Sequence, residues 1–370
     1  MSTAIPAADR QSLLDYLAGR REAVLAFIQG FGLVHLVAEP HLRDFLLSYP
    51  LRGGKSLRPA LVALAAGAAS AVSQEDLEER TLPLQAAVEL YHNWTLIHDD
   101  IIDEDDFRRG KPSLHREIEA EVRRQGREEG AEKYGRDIAI LVGDLMHGCV
   151  NLLVLRLADK GVSPDVVLSI LRLMHAELTP SLVDGEARDV RFTHEAVGDI
   201  TEDQVLEMLE GKTAALFDFC GTAGAMVGLD SADPADSRSL ALAGFSRAAG
   251  LAFQIQDDIL GLVGDEEKLG KPRGSDLREG KHTLLLLHAF RHGSPEQVEK
   301  VRPLVGKRDI APEEVDLVEE TLRDIGTIEY VSGVAREYIE TALPFLEELE
   351  PSPARNLLAG LAGFMIEREF

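Results

Sequence analysis

Apolar residues recur at helical spacing along much of the chain. Leu13 and Leu17 are followed by Val24 and Ile28, and this pattern predicts two helices within residues 10–50. Further helices are predicted over residues 82–106 and 138–160. Alanine and leucine are abundant and aromatic residues make up only 5% of the chain, a composition that favours helix over strand. The sequence therefore predicts an all-α fold.

Charge and cysteine usage narrow the possible partners and compartment. The net charge of −25 counts against a nucleic-acid partner, because binding its phosphates needs a basic face. Cys149 and Cys220 show neither metal-ligand nor disulfide spacing, which is typical of small buried residues in a reducing cytoplasm. Charged residues interrupt the N-terminal segment, so no signal peptide is predicted. The longest apolar run, residues 61–72, is too short to span a bilayer, so no integral membrane segment is expected.

Three aspartates form the pattern D-D-x-x-D near the end of a predicted helix. Asp99 and Asp103 are four residues apart and share a helix face, with Asp100 alongside. Their charges repel unless a cation lies among them, and carboxylate oxygens at this spacing suit Mg²⁺. A solvated acidic helix end is the alternative, and the motif alone does not decide between them. Arg108 and Arg109 follow at once and offer guanidinium groups for phosphate oxygens, which favours a metal–diphosphate site.

A second acidic pair, Asp257 and Asp258, lies in the segment FQIQDDILG. It can face the first pair only if two helices of a bundle bring the motifs together. With these two motifs the chain resembles the trans-isoprenyl diphosphate synthases, in particular the short-chain enzymes that form geranylgeranyl or farnesyl diphosphate. The resemblance implies a single all-α domain over residues 1–370, with antiparallel helices around a deep central cavity, and a homodimer. The implied activity is Mg²⁺-dependent condensation of isopentenyl diphosphate with an allylic diphosphate. A C20 product is the first expectation and a C15 product the second.

The resemblance also assigns residues to isopentenyl diphosphate. The segment GGKSLRP is similar to a G-G-K-x-x-R-P element of the family, with Ser56 where many members carry another cation. From its chemistry alone, this segment is a loop–helix junction where cations and a helix N-terminus can hold an anion. The implied contacts are Lys55, Arg58, His92 and Arg109.

A further set of residues is implied to hold the allylic diphosphate. Lys212 and Thr213 match a K-T pair of the family. The segment LVDGEARDV resembles its G-Q-x-x-D element, with Glu186 in place of glutamine and Asp189 retained. The residues implied to hold this diphosphate, or to direct dipoles at the developing carbocation, are Arg108, Lys212, Thr213, Gln254, Lys271 and Lys281.

The metal ions implied by the resemblance are three Mg²⁺, for which Mn²⁺ can substitute. Many members of the family carry a further aspartate where this chain has Gly261, and Asp265, about one turn later, is a candidate to replace it through water. The aspartates implied to bind the ions directly are Asp99, Asp103 and Asp257, with Asp100 and Asp258 in support.

Product length is implied to depend on the helix turns before the first aspartate. Trp94 lies five residues and Tyr91 eight residues before Asp99, so bulky rings there would close the cavity about one and two turns from the metal site. Packing in the core is the alternative role for both rings. The positions implied to limit the product are Tyr91, Trp94 and the small neighbour Thr95.

Residues 117–136 depart from the family pattern. They are dense in mixed charge and include Gly126 and Gly130, which predicts an inserted, solvated helical hairpin or mobile loop that is dispensable for the chemistry.

Two other functions fit part of the pattern. A class I terpene cyclase shares the first aspartate motif and the helical fold, but it needs no isopentenyl site, and its N-x-x-x-S/T-x-x-x-E motif is missing near Asp257. A noncatalytic subunit that modulates a partner synthase usually loses aspartates, whereas this chain keeps five of the usual six. The prenyltransferase interpretation is therefore favoured over both.

Overall fold

Helices form nearly all of the regular structure in residues 7–264 and 272–367, which are the residues that the computed structural model describes. The helices are α1 (Arg10–Phe31), α2 (Pro40–Phe45), α3 (Ser48–Leu51), α4 (Leu57–Ala69), α5 (Gln74–Ile102), α6 (Leu114–Arg124), α7 (Ala131–Leu155), α8 (Pro164–Leu173), α9 (Thr179–Phe192), α10 (Glu202–Leu209), α11 (Ala215–Leu229), α12 (Ser237–Val263), α13 (Ser275–Glu279), α14 (Leu284–His292), α15 (Pro295–Val301), α16 (Pro312–Ile325), α17 (Thr327–Glu347) and α18 (Pro353–Ile366). Single π-helical turns, Met174–Leu178 and Glu210–Ala214, lead into α9 and α11. Two short strands, β1 (Phe107–Arg108) and β2 (Lys111–Pro112), pair antiparallel as a hairpin between α5 and α6.

The N-terminal segment differs from the two helices predicted within residues 10–50. α1 begins after Asp9, whose carboxylate accepts a hydrogen bond from the Ser12 amide at 3.0 Å, as helix-capping aspartates do. Gly32 ends α1 by adopting a left-handed conformation with φ of 77°. A 3-10 helical turn (Leu33–Leu36) and the short helices α2 and α3 follow before the GGKSLRP segment. One long helix and two short ones therefore replace the predicted pair.

α5 carries the first acidic motif at its C-terminal end. The helix begins after Ser73, whose hydroxyl accepts a hydrogen bond from the Asp76 amide at 3.2 Å. Asp99 and Asp100 lie in the last turn, and Asp103 caps the helix, since its amide bonds to the Asp99 carbonyl oxygen at 2.8 Å. The C-terminal end of a helix carries the negative end of its dipole. Carboxylates placed there therefore require cations from other parts of the chain.

The helices that carry the two acidic motifs are anchored to the same central pair, α4 and α11. α4 is buried along nearly its whole length and packs against α5 and α11, while α12 packs against α11 and α17. The contact between α4 and α11 is close, because a Cβ on Gly224 would lie 2.5 Å from the Val62 carbonyl oxygen. α12 also contributes to both apolar clusters of the core. The positions of α5 and α12 are thus fixed by tight packing rather than by loops.

Residues 117–136 form most of α6 and the first part of α7. Charged side chains pair along the outer face of α6, for example Arg123 with Glu119 and Glu128. The inner face buries Ile118 and Val122 in the core. The predicted helical hairpin is therefore present, but the prediction of a solvated segment is wrong for its inner face.

Two helical stretches are long and apolar enough to cross a membrane, judged by length and composition alone. Residues Ala131–Lys160 reach a mean hydropathy of 2.0 and residues Pro164–Phe192 reach 1.4. Length and composition alone do not mark a membrane span, so the expectation of no integral membrane segment stays a prediction. Half of the first apolar window and a third of the second are buried inside the protein, and core helices commonly pass the same test. The cytoplasmic location expected from the sequence stays a prediction.

Candidate functional site

A cavity of about 840 Å³ brings the two acidic motifs together. Its wall includes Asp99 from α5 and both Asp257 and Asp258 from α12. The apolar part of the wall includes Ile102, Leu182, Val183, Val190, Leu216, Phe253 and Leu260. One cavity therefore offers facing carboxylates beside an apolar surface that excludes water.

Lys212 lies at the centre of a cluster of carboxylates. Its ammonium nitrogen is 3.1 Å from Asp99, 2.8 Å from Glu186 and 2.6 Å from Asp189. The π-helical turn that carries Lys212 packs against α9 so closely that a Cβ on Gly185 would clash with its backbone. Burial alone would raise the pKa of Asp99, but the surrounding cations, Lys212 foremost, hold that pKa below its usual value. Burial raises the pKa of Glu186 to about 7, against the opposing effect of Lys212.

The other two aspartates of the first motif are not part of the described cavity wall but bond to side chains that are. Lys281 Nζ lies 2.5 Å from the Asp103 carboxylate. Burial raises the pKa of Asp103, and the Asp99 charge adds to the effect while Lys281 opposes it. Asp100 is fully buried, where it accepts hydrogen bonds from Arg108 and from the Tyr49 hydroxyl. Asp99 is thus the member of this motif that is exposed to the cavity.

A hydrogen-bonded chain of side chains leads to the second motif. Thr213 Oγ1 donates to Gln254 Oε1 at 2.9 Å, and Gln254 Nε2 donates to Asp258 at 2.8 Å. Burial raises the pKa of Asp258 well above its usual range, and the nearby Asp276 charge adds to this effect. A Cβ on Gly261 would lie 3.4 Å from the Asp276 carboxylate. Many family members carry an aspartate at the position of Gly261. Asp276 therefore brings a carboxylate close to that position.

A second group of basic side chains lines the same cavity. Lys55, Arg58, His92 and Arg109 all belong to the wall. Arg58 Nε and Arg109 Nη1 are buried nitrogen atoms with no hydrogen-bond partner among the described residues. Burial lowers the pKa of Arg58 to about 10, and burial beside Arg58 lowers the pKa of His92 far enough to keep the imidazole neutral. Buried donors without partners are costly, so these two arginines are arranged to receive an anion.

Left-handed backbone conformations present these cations to the cavity. Ser56, just before α4, has a φ of 48°, and Arg109, in the hairpin turn, has a φ of 56°. The Arg109 guanidinium lies against Gly54, where a Cβ would be 3.0 Å from Nη2. Non-glycine residues in this region are strained and cluster at functional sites. Gly54 leaves room for the guanidinium, which a Cβ at this position would press aside by a few tenths of an ångström.

Aromatic rings close the cavity on α5. Trp94 and Thr95 belong to the wall, whereas Tyr91 is fully buried behind it. The Trp94 ring centre lies 4.9 Å from that of Tyr91 and 4.4 Å from that of His147 on α7. The Tyr91 hydroxyl is 2.9 Å from Thr179 Oγ1, which fixes its ring. Trp94 is therefore the ring that faces the cavity, and Tyr91 and His147 support it.

Some candidate residues were missed in the sequence, and others lie outside the described part of the chain. Asp105 lines the cavity and accepts a hydrogen bond from Arg108 at 3.2 Å. Its position in the acidic run after Asp99 could have indicated this role from the sequence. Asp276 lies in a glycine- and lysine-rich segment in which the family resemblance assigns roles only to Lys271 and Lys281. Lys271 and Asp265 lie outside the described residues.

Comparisons with known proteins agree with this geometry. A model of the polyprenyl synthetase family matches residues 39–324. A geranylgeranyl diphosphate synthase of Methanosarcina mazei is 36% identical over 318 residues, which cover 86% of this chain and 87% of that protein. A geranylfarnesyl diphosphate synthase of Natronomonas pharaonis is 34% identical over 330 residues, covering 86% and 87%. A geranylgeranyl pyrophosphate synthase of Corynebacterium glutamicum, crystallised with isoprenyl diphosphate and magnesium, has a TM-score of 0.82 at 30% identity over 96% of this chain and 99% of that chain.

With the cavity, these similarities place the chain among the prenyltransferases that lengthen isoprenyl diphosphates. More narrowly, the chain belongs to the polyprenyl synthetase family. The family, the all-α fold and the short-chain prenyltransferase activity predicted from the sequence are confirmed.

Proposed function

We propose that this chain condenses isopentenyl diphosphate with an allylic diphosphate in its cavity and forms geranylgeranyl diphosphate, a C20 product. The observation that carries the proposal is that the cations of the cavity wall fall into two groups with different partners. Lys212 and Lys281 are paired with carboxylates, whereas Arg58 and Arg109 keep buried nitrogen atoms without hydrogen-bond partners in the described structure. This division suits two diphosphates, one that binds with metal ions and one that binds to cations alone.

The allylic diphosphate would bind beside the carboxylates together with Mg²⁺. Within residues 7–264 and 272–367, no group of three or more His, Cys, Asp or Glu side chains is arranged to hold a metal ion. The donors still fit Mg²⁺, which one or two carboxylates and substrate phosphates commonly hold together. Asp99, Asp103 and Asp257 would hold three ions, or Mn²⁺ in their place, with Asp100 and Asp258 in support. Bound Mg²⁺ would neutralise the diphosphate and make it a better leaving group.

Cations of the paired group would hold the same diphosphate. Arg108, Lys212 and Lys281 already contact carboxylates of the first motif, and each can exchange an aspartate oxygen for a phosphate oxygen. Lys271 is proposed to join them. Since these side chains are nearly buried, their charges act through a medium that screens them less than water does.

Isopentenyl diphosphate would bind to Lys55, Arg58, His92 and Arg109. The unpartnered nitrogens of the two arginines would each gain an acceptor from the phosphate oxygens. Neutral His92 would contribute one N–H donor without adding charge. No metal ion is needed on this side, because the cations themselves balance the diphosphate.

The chain's own groups would then protect and steer the carbocation. Oxygen dipoles of Thr213 and Gln254, fixed by their mutual hydrogen bond, would face the positive charge. The apolar wall around Phe253 and Leu216 would exclude water that could trap the cation. The condensed intermediate would lose a proton to the departing diphosphate.

Trp94 supports a product of limited length. The ring lies on the wall five residues before Asp99, about 7.5 Å along the helix axis. Relatives named for C20 and for C25 products both resemble this chain, so a C25 product is the second candidate, ahead of the C15 product expected second from the sequence. The ring's supported position favours the shorter of the two.

A homodimer is proposed because apolar side chains remain exposed on neighbouring helices. Leu141, Leu152 and Leu155 on α7 and Leu168 on α8 are each at least two-fifths exposed. An apolar face of this extent on a helical bundle is typical of a subunit interface. Sedimentation of the protein at several concentrations tests this proposal.

One assay separates the proposed function from its alternatives. Purified protein is incubated with isopentenyl diphosphate, each allylic primer in turn and Mg²⁺, and the product length is measured. A terpene cyclase would release cyclic hydrocarbon from the allylic substrate alone, and a noncatalytic subunit would yield no product. Consumption of isopentenyl diphosphate with a C20 product is the expected result.

A further inference from the structure

Tyr49 on α3 connects the first acidic motif to the start of α6. Its side chain is fully buried, and its hydroxyl donates a hydrogen bond to Asp100 Oδ2. The Tyr49 hydroxyl oxygen also accepts a hydrogen bond from the Leu114 amide at 2.8 Å. Leu114 is the first residue of α6. One phenol oxygen thus fixes both the aspartate and the backbone that follows the hairpin.

Asp100 in turn fixes Arg108. Its second oxygen, Oδ1, accepts hydrogen bonds from Arg108 Nε at 2.7 Å and from Nη2. Asp100 is fully buried, so both oxygens depend on donors from the protein. Arg108 Nη2 also lies 3.2 Å from Asp105 and 3.5 Å from Asp99, both on the cavity wall. The guanidinium therefore reaches from the buried carboxylate to the cavity in one orientation.

Arg52 holds the backbone of the same hairpin. Its Nη1 donates to the Pro112 carbonyl oxygen at 2.6 Å, and its guanidinium lies 4.4 Å from the centre of the Tyr49 ring. The hairpin turn consists of Arg109 and Gly110, with φ of 56° and 72°. Two-residue turns of this hand match the twist of a hairpin, but a non-glycine residue there persists only where its surroundings hold it. Tyr49 and Arg52 supply those surroundings.

We propose that Tyr49 is a positioning residue for Arg108 and acts through the buried Asp100. The inference rests on the proposed function and deepens it, because the second aspartate of the first motif then orients a guanidinium toward the allylic diphosphate. Without the Tyr49 hydroxyl, Asp100 Oδ2 loses its donor and the carboxylate can rotate. Arg108 then loses its fixed orientation while its charge remains.

The test compares Tyr49→Phe with a matched control, Tyr16→Phe. The Tyr16 hydroxyl on α1 also takes part in a hydrogen bond, from Gln74 at 3.2 Å, and Tyr16 lies outside the described cavity wall. For Tyr49→Phe we expect kcat/KM for the allylic substrate to fall by about tenfold or more, while KM for isopentenyl diphosphate stays within about threefold. Tyr16→Phe should leave both constants within about threefold. Equal effects of the two substitutions on the allylic constants would overturn the proposal.

Asp100→Asn provides a second arm in case Tyr49→Phe folds poorly. It keeps the size of the side chain but weakens its hold on Arg108, so the same selective loss for the allylic substrate is expected. Combining Tyr49→Phe with Asp100→Asn should cost less than the product of the two single effects, because both act on one interaction. Fully multiplicative losses, or no allylic effect of Asp100→Asn, would also contradict the proposal.

A binding measurement keeps this inference separate from the proposed function. If wild-type protein does not consume isopentenyl diphosphate, the proposed function fails, whatever the variants do. Titration calorimetry with inorganic diphosphate and Mg²⁺ still compares wild type, Tyr49→Phe and the control Tyr16→Phe. Weaker binding by about tenfold in Tyr49→Phe alone supports the positioning role, and equal binding by wild type and Tyr49→Phe refutes it.

Discussion

Lys281 Nζ lies 2.5 Å from the carboxylate of Asp103, although 178 residues separate them in the chain. Lys212 holds Asp99 in a similar way at 3.1 Å. Two cations from distant elements therefore balance the acidic end of α5, which its own helix dipole disfavours. These ion pairs offset the mutual repulsion of the aspartates at this end of α5.

The first prediction is that turnover requires a divalent metal ion. Excess chelator should abolish product formation, and added Mg²⁺ or Mn²⁺ should restore it. Asp99→Ala should lower kcat by roughly 100-fold or more, since loss of a metal ligand removes several kcal/mol of transition-state stabilisation. Initial rates at saturating substrates measure the effect.

Asp184→Ala is the matched control for this substitution, because Asp184 is an exposed aspartate on α9 outside the described cavity wall. Its rate should stay close to that of the wild type. Full activity in excess chelator would contradict the metal proposal.

The second prediction is that the two diphosphates have separate sites. Arg109→Gln should raise KM for isopentenyl diphosphate by roughly tenfold or more, because a hydrogen bond between charged groups contributes about 1.5–3 kcal/mol. Lys55→Ala should act in the same direction. Lys212→Ala should chiefly affect the constants for the allylic substrate. Steady-state kinetics with each substrate varied in turn separate these effects.

Circular dichroism of each variant controls for folding, which matters most for Lys212→Ala because it leaves buried carboxylates without their cation. Parallel changes for both substrates in all of these variants would argue against two sites.

Helical spacing predicted the main features of the site but not the orientation of every aspartate. Asp99 and Asp103 were expected on one helix face, four residues apart. In the structure α5 ends at Ile102, and Glu104 adopts a left-handed φ of 59°. Asp103 nevertheless keeps a right-handed helical backbone, and its amide bonds to the Asp99 carbonyl oxygen, so the four-residue spacing still holds there. Asp100 is the aspartate that helical spacing did not orient, because it is fully buried against Tyr49 and Arg108.

Contacts that depend on tertiary packing left no local signal in the sequence. Tyr49 and Arg52 precede the GGKSLRP segment, and no periodicity or motif connects them to the hairpin some sixty residues later. His147 is similar, since its ring meets Trp94 only because α7 packs against α5. By contrast, the order of the motifs was readable because each motif lies within one element.

The third prediction concerns pH and follows from Glu186, which stands where the family pattern has glutamine. Burial raises its pKa in the folded protein from 4.5 to about 7. Because the folded value lies above the unfolded one, its contribution to stability is complete below pH 4.5 and is lost as the pH rises through about 7. Glu186→Gln has no carboxyl group to ionise at this position, so it does not lose this stability. In chelator and without substrate, its free energy of unfolding should therefore gain about 1–3 kcal/mol over that of wild type between pH 5 and pH 8.

Urea unfolding at a series of pH values measures this difference. Glu207→Gln is the control, because Glu207 is an exposed glutamate on α10 that pairs with Arg188. Its difference from wild type should not vary with pH in this range. A constant difference between Glu186→Gln and wild type would show that Glu186 does not titrate as proposed.

The last prediction concerns product length and rests on the packing of Trp94. The ring faces the cavity and is held between Tyr91 and His147, so a growing chain cannot displace it at low cost. Trp94→Ala should open the wall and shift the main product from C20 to C25 or longer, and adding Tyr91→Ala should lengthen it further. Thr95→Phe should shorten it, because a second ring would fill space on the wall beside Trp94.

Chromatography of dephosphorylated products measures these shifts, at equal substrate ratios and equal extents of conversion. Phe27→Ala is the control, since Phe27 on α1 packs against the core away from the described cavity wall. It removes a comparable aromatic ring, so it reports how far general loosening of the bundle alters product length. We expect its product to remain C20, because chain growth is limited by the ring that the chain meets and not by overall stability. A wild-type product of C30 or longer, or an unchanged product in the Trp94→Ala Tyr91→Ala double variant, would show that these rings do not form the limit.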